Sequence, residues 1–470
     1  MGTRMEVMQL ESRMDTEDYR KLQGLFKDPS GAACSLSRAE FIGLAWPSVG
    51  RGSRQQYSLL FDSVVACQEG HRCTHPLKED VCITWGGLCS FLLLQLSDKI
   101  KNSRIRSIPS WKPPQEVPCP HRDPVQKVLH LQTSGQYLTV SKGGTVVLWD
   151  GENMSPLHTQ QLQNSRVAPK DLWVTDVVVL SNINKVAVSF TSKEVYFYDM
   201  LAQRDFSCQY KLQGLKFTLW CLDYWAEPSQ TDRAVLTIGD IGGQVSALYF
   251  TSANISLFER LSLRKDSDSA FVILWDELRR GRHRSCYTVT HQGHMSAWVR
   301  KVRYLGSMDA FASCSSCPQS SLVIGWREED SRNVRLTTFA TKRGVWDMDH
   351  HCGLNLIATA GLDHRVLLWN PCVMSEPVCL LRGHTNPITA VCFIQSKQEL
   401  FSYSKDKVLC LWDLSRQLCL YRLTTVFPKM QEEPNTLLFL QEEQQRLLLS
   451  FNSMLFLLEA TRQERNSSDM

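Results

Sequence analysis

The chain has 470 residues, 43% hydrophobic and 21% charged, with a formal net charge of +4. This is ordinary for a soluble globular protein and leaves room for two or three domains. The small charge gives no general case for nucleic acid or an acidic membrane as partner, and apolar clusters such as Phe91 to Leu94 fall far short of the ~20 residues that span a bilayer.

The 17 cysteines are scattered among apolar residues, and none has zinc-site spacing. Cys314 and Cys317 form a lone CxxC, read as ordinary thiols. Reduced thiols suggest a cytosolic compartment. The first residues lack the apolar core of a secretory signal.

In chain order, residues 1–16 read as a polar tail. Residues 17–100 carry helical periodicity: Tyr19, Leu22, Leu25 and Phe26, then Leu36 to Ala45, then Tyr57, Leu60, Phe61, Val64 and Val65, then Leu88 to Leu96. This double helix-loop-helix resembles an EF-hand pair, with loops near Asp28 and Glu40 and around Ile83. Calcium needs oxygen ligands at alternating loop positions and a closing glutamate. With Glu40 as the closing acid, the earlier ligand positions fall on Pro29, Gly31 and Ala33; in the second loop the closing position is Gly87. The expectation is therefore a helical docking module without metal. Calcium is not an expected ligand, and no other cofactor is implied.

Residues 101–123 form a basic, proline-containing linker. From about 124 to 460 short apolar runs, rich in β-branched and aromatic residues, come in threes and read as strands. Seven triplets end at 150, 199, 250, 326, 370, 413 and 458, spaced by 43 to 51 residues save one interval of 76. That long interval predicts an insertion over about Thr251 to Thr290. The seventh triplet lacks an outer strand of its own, so Ile105 to Ile108, or its neighbourhood, is expected to supply one and close a ring. Residues 461–470 read as a tail.

The sixth triplet, Leu380 to Asp413, opens with Gly383-His384 and closes with Trp412-Asp413. It resembles the WD repeat, the unit of a β-propeller. A histidine before the first strand, a hydroxyl on the second, an aspartate in the turn and a tryptophan on the third can hydrogen-bond in series; here these are His384, Ser402, Asp406 and Trp412. Thr359, Asp363 and Trp369 repeat the pattern in the fifth triplet without a histidine. Such buried, satisfied networks orient strands and leave no open chemistry.

Trp173, Trp220, Trp298 and Trp346 recur at the start of the first strand of successive triplets. They form either a partner-binding rim, since tryptophan is enriched at binding hot spots, or interblade packing. Arg279 to Arg284 lacks interleaved aromatic residues and reads as a solvated loop. His350-His351-Cys352 has no further ligands nearby in sequence. No glycine-rich phosphate loop, GxSxG or HExxH occurs, so the chain does not read as an enzyme.

The order of parts resembles the animal EF-hand-linked WD-repeat proteins. Ile83-Thr-Trp85 with Cys89 to Leu94, Trp298 to Tyr304, and Ala358 to Trp369 followed by Pro377 to His384 carry the resemblance. It implies a mainly β fold, a seven-bladed WD-repeat propeller preceded by a small all-α EF-hand-like domain. It also implies a non-catalytic scaffold for other proteins, with a calcium-responsive regulator as the alternative. The thiols point to a cytoplasmic location, and the resemblance implies the cilium or flagellum as a more specific one. Members commonly carry a second propeller; this chain stops after seven triplets, as a short member, an isoform or a fragment would.

Overall fold

The computed structural model describes residues 14, 16–28, 31–50, 53–68, 82–93, 111–164, 167–200, 206–259, 270–328, 333–373, 376–424, 436–443 and 445–460. The chain divides into two compact units, one helical and one β. Among the described residues no helix is long and apolar enough to cross a membrane.

The helical unit holds two segments that each order a helix, a short strand and a second helix. The first runs from α1 (Thr16–Leu25) through the strand Ser35–Ser37 to α2 (Arg38–Val49). The second runs from α3 (Arg54–Gln68) through the strand Cys82–Thr84 to α4 (85–93). The two strands pair antiparallel with Leu36 opposite Ile83. Both side chains are buried beside Leu22, Phe41, Tyr57, Val64 and Leu88, the apolar periodic positions. Glu40 sits at the third position of α2 and accepts from the backbone N–H and hydroxyl of Ser37, at 2.9 and 2.7 Å. This is a helix-capping box. Gly50 ends α2 in the left-handed region, its N–H donating to Trp46 O.

The β unit holds seven antiparallel four-stranded sheets, one gaining a fifth strand. The inner strands of blades 1 to 7 are Val125–Leu131, Val174–Leu180, Leu219–Ala226, Val299–Leu305, Asp347–His351, Ile388–Ile394 and Thr436–Gln441. The turn between the first and second strands carries a left-handed residue in several blades: Gly135, Asn184, Asp309 and Asn355. These are residue types that tolerate positive φ. Apolar residues on alternate sheet faces pack blade against blade, as Leu138 and Val140 of blade 1 do with Val177 and Val188 of blade 2.

Ring closure falls to a strand other than the one expected. Ile105 to Ile108 lies outside the described residues. Gln115–Val117, further along the predicted linker, pairs antiparallel with Leu455 to Leu457 as the outer strand of blade 7. Prolines 113, 114 and 118 bracket it and limit it to three residues. Val117 enters the core with Val125, Leu448 and Leu455.

The long interval at 251–290 is not a plain loop. Phe271–Leu274 adds to blade 2 as a fifth strand, parallel to Ser207–Gln213. The short α5 (Trp275–Arg279) follows, and Cys286–His291 completes blade 3. Phe258, within the same segment, packs against Phe197, Tyr210 and Phe250 at ring distances of 5.4 to 5.6 Å. The insertion thus covers what would be an open sheet edge.

Candidate interaction face and channel mouth

In blade 6, His384 Nε2 lies 2.6 Å from Ser402 Oγ, and Trp412 Nε1 donates to the same oxygen at 2.7 Å. Asp406 is not the next link. It accepts from Ser404 Oγ at 2.5 Å and Thr385 Oγ1 at 3.3 Å, and His384 Nδ1 has no hydrogen-bond partner. The expected four-membered series is therefore three groups plus a turn carboxylate held by Ser404 and Thr385. In blade 5, Trp369 Nε1 donates to Thr359 Oγ1 at 2.8 Å, while Asp363 accepts from Arg365 at 2.7 Å.

Two more such centres stand in blades that keep only one of the two dipeptides: blade 1 ends in Trp149-Asp150 but has Pro120-His121 where GH would stand, and blade 4 has Gly293-His294 but no Trp-Asp pair. In blade 1, His121 Nε2 lies 2.7 Å from Thr139 Oγ1, which also accepts from Trp149 Nε1 at 2.7 Å. The spacing of 18 residues from histidine to hydroxyl and 10 on to tryptophan equals that of blade 6; a proline in place of the glycine hid it. In blade 4, His294 contacts Ser313 Oγ and Ser320 O, both at 2.7 Å, whereas Trp326 turns away to donate to Thr337. Burial lowers His121, His294 and His384 to about 4, so all three are neutral at pH 7.

The inner strands of five blades share a bulge after their first residue. This register separates the four tryptophans into two kinds, not one recurring position. Trp220 occupies the bulge of blade 3, and Trp346 holds the matching position before Asp347 in blade 5; both are half-buried and line the central cavity of about 1010 Å³. Trp173 and Trp298 precede the first strand residue and stand 38% and 44% exposed. Lys142 Nζ lies 3.6 Å from the Trp173 ring, and Trp298 lies 5.1 Å from Trp220. Inner-strand starts pair with second-strand ends, as Val299 does with Ser315. The turns after the second strands and the loops from each outer strand to the next blade therefore share one face with these tryptophans, termed the upper face.

Below the mouth, charged side chains tie blade to blade. Asp176 accepts from Lys127 at 2.7 Å and from Leu222 N of the next blade at 2.8 Å. Asp347 repeats this with Lys301 and Val391 N. Arg303 lies between Asp223 and Asp349, at 2.8 and 3.4 Å, and those carboxylates also accept from Tyr304 N and Phe393 N. Blade 7 presents Leu437 and Phe439 in the equivalent places. Each of these acids accepts from a cation and from a backbone N–H of the next blade, so the ties hold the ring.

The other sequence features are engaged locally. Arg279 and Arg280 pair with Asp276, and Arg282 with Glu277. His351 spans Lys397 O and Leu354 N at 3.1 Å each, and Cys352 contacts Gln395. Cys314 is buried, its thiol pushed up by desolvation, whereas Cys317 lies near the surface. Among the described residues no group of three His, Cys, Asp or Glu lies close enough to hold a metal ion.

Residues 333–370 and 375–413 match the sequence signature of the WD domain, G-beta repeat family. Each match starts at the outer strand of one blade and ends with the third strand of the next, the unit seen in the seven sheets. The chain is a WD-repeat β-propeller protein. This WD-repeat propeller is similar to the "WD repeat-containing protein on Y chromosome" of Anopheles gambiae, 22% identical over 302 residues covering 61% of this chain and 27% of that protein. The namesake from Drosophila grimshawi is 24% identical over 217 residues, covering 44% of this chain and 18% of its own length. Nuclear distribution protein nudF 1 of Talaromyces marneffei is 28% identical over 139 residues, covering 26% of this chain and 30% of that protein. The chain thus matches less than a third of the length of each of these relatives.

Proposed function

We propose that this WD-repeat propeller is a non-catalytic scaffold that binds other proteins through its upper face. The observation that carries the reading is Trp298, 44% exposed on a closed, internally tied ring, its ring tilted against that of Trp220. A large apolar side chain held rigidly in solvent loses little entropy on docking and buries much area. The polar groups below it are already matched, which supports binding over turnover.

Trp298→Ala in the full-length protein is expected to leave the melting temperature within about 2 °C of wild type, because an exposed side chain contributes little to stability. Proximity labelling and pull-down with the same variant should lose a shared set of partners. Retention of every partner would remove the rim as the binding face.

For the helical unit the reading is an EF-hand-like docking module without calcium. The pairing of Leu36 with Ile83, each just before a helix, supports the architecture. The engagement of Glu40 in the capping box, and of Asp28 Oδ1 with Ala32 N at 2.9 Å, speaks against a calcium regulator. Millimolar calcium is expected to change neither helicity nor melting of the full-length protein; a calcium-dependent shift in either would restore the regulator.

A further inference from the structure

The loops of blades 3 to 5 differ from the rest of the channel wall in charge. Lys127, Lys301 and Arg303 each have a carboxylate within 2.6 to 2.8 Å. Arg300, at the bulge of blade 4, has none among the described residues. Its Nε donates to Ser316 Oγ at 3.1 Å, and its guanidinium lies 5.4 Å from the Trp298 ring centre. It lines the same cavity mouth as Trp220 and Trp346. Burial presses the guanidinium below the usual arginine range, as expected of a cation whose water has been partly removed without a countercharge.

Three more cations stand exposed on adjoining upper-face loops: Lys216 before blade 3, and Lys342 and Arg343 before blade 5. Of the carboxylates on the surrounding turns, Asp363 is paired with Arg365, and Asp240, which accepts from the N–H groups of Gly242 and Gln244 at 2.8 and 2.9 Å, keeps its charge and is offset by Lys216. Arg300, Lys342 and Arg343 remain as the positive groups over an aromatic floor.

We propose that the mouth at blades 3 to 5 receives an extended acidic segment of a partner protein, one carboxylate pairing with Arg300 while a neighbouring apolar side chain lies on Trp298. The inference rests on the scaffold reading and gives it a partner class. A carboxylate supplies the half that Arg300 lacks, in a partly desolvated site where a charge-assisted, bidentate pair is strong. Trp298 and Trp220 supply apolar area beside it. Nucleic acid fits less well: it calls for a long track of phosphate contacts, whereas the cations here surround one mouth and the whole chain carries only +4.

The test is fluorescence anisotropy of the full-length protein with a labelled peptide of alternating Glu and Leu, its Gln-for-Glu counterpart, and an oligo-dT of matched length. The Glu peptide should bind, weaken with added salt, and lose at least about tenfold in affinity in Arg300→Gln. Lys342→Gln/Arg343→Gln alters only exposed side chains and should also weaken it, which guards against a folding defect in Arg300→Gln. Equal binding of the Gln peptide, indifference to both variants, or tighter binding of oligo-dT through the same residues would overturn the proposal. If the Glu peptide fails to bind while Trp298→Ala still strips partners from the full-length protein, the acidic partner falls and the scaffold stands. If Trp298→Ala strips nothing, both fall.

Discussion

Acidification from pH 7 to about 4.5 is expected to unfold the propeller, through histidines that the fold holds neutral. His121, His294 and His384 are lowered to about 4 and His291 to about 3, in every case chiefly by burial. For His291 the neighbouring His294 adds to the effect. A folded-state pKa below the unfolded value of ~6.5 means that the unfolded chain binds more protons between those values. Stability is therefore complete above about pH 6.5 and falls as pH drops towards 4. Each histidine withdraws about 2–3 kcal/mol by pH 4.5, and four together reach the order of 10 kcal/mol, the scale of a whole domain's net stability. Asp240, whose carboxyl is raised by burial, works in the opposite direction, but it is a single group. Thermal melting across pH 7.5 to 4.5 reads the effect, and His384→Gln should flatten the curve by its share. A melting temperature constant down to about pH 5 would mean that the histidines are not held neutral.

How far the sequence could be read depends on whether a feature repeats at a fixed interval. Blade 6 was legible because GH, Ser, Trp and Asp stand in their expected places, and seven triplets with a regular period imply a ring. His121 was not legible by dipeptide, although its 18- and 10-residue spacings to Thr139 and Trp149 match blade 6. Spacing reports which atoms can meet, whereas the glycine before the histidine does not take part in the contact.

The four tryptophans show the converse. In the sequence they look like one recurring position. Trp220, at the bulge of blade 3, and Trp346, before Asp347, line the cavity, whereas Trp173 and Trp298 stand one position earlier, before the first strand residue, and are exposed. Bulges leave little trace in sequence, yet they re-aim side chains. The fifth strand of blade 2 and the three-residue closing strand were missed for a related reason: their pairing partners are distant in the chain, and neither is long enough to show alternation. The role of Glu40 was ambiguous because a closing acid of a calcium loop and the third residue of a capped helix occupy the same place. In the structure Glu40 accepts from Ser37 as the third residue of a capped helix.

The same residue type should give opposite results in blade 6. Trp412 is 1% exposed, and Gly383 lies so close that an added Cβ would stand 2.9 Å from its ring. Trp412→Ala removes a large packed ring and is expected to cost about 3–5 kcal/mol. Ser402→Ala deletes one oxygen, but that oxygen serves both His384 Nε2 and Trp412 Nε1. Stranding two buried polar groups costs about 1–3 kcal/mol for each. The double variant should cost less than the sum, because the second change removes a donor that the first had orphaned. Chemical denaturation of the four proteins gives the cycle, and hydrogen exchange tells whether blade 6 opens by itself. Because blade 6 is tied to blade 5 through Asp347 and Asp349, its loss should propagate around a ring that has no free end to absorb it. A Trp412→Ala protein as stable as Trp298→Ala would contradict this account: the buried tryptophan would not be holding its blade, and the exposed one could not be assigned to partners by contrast with it.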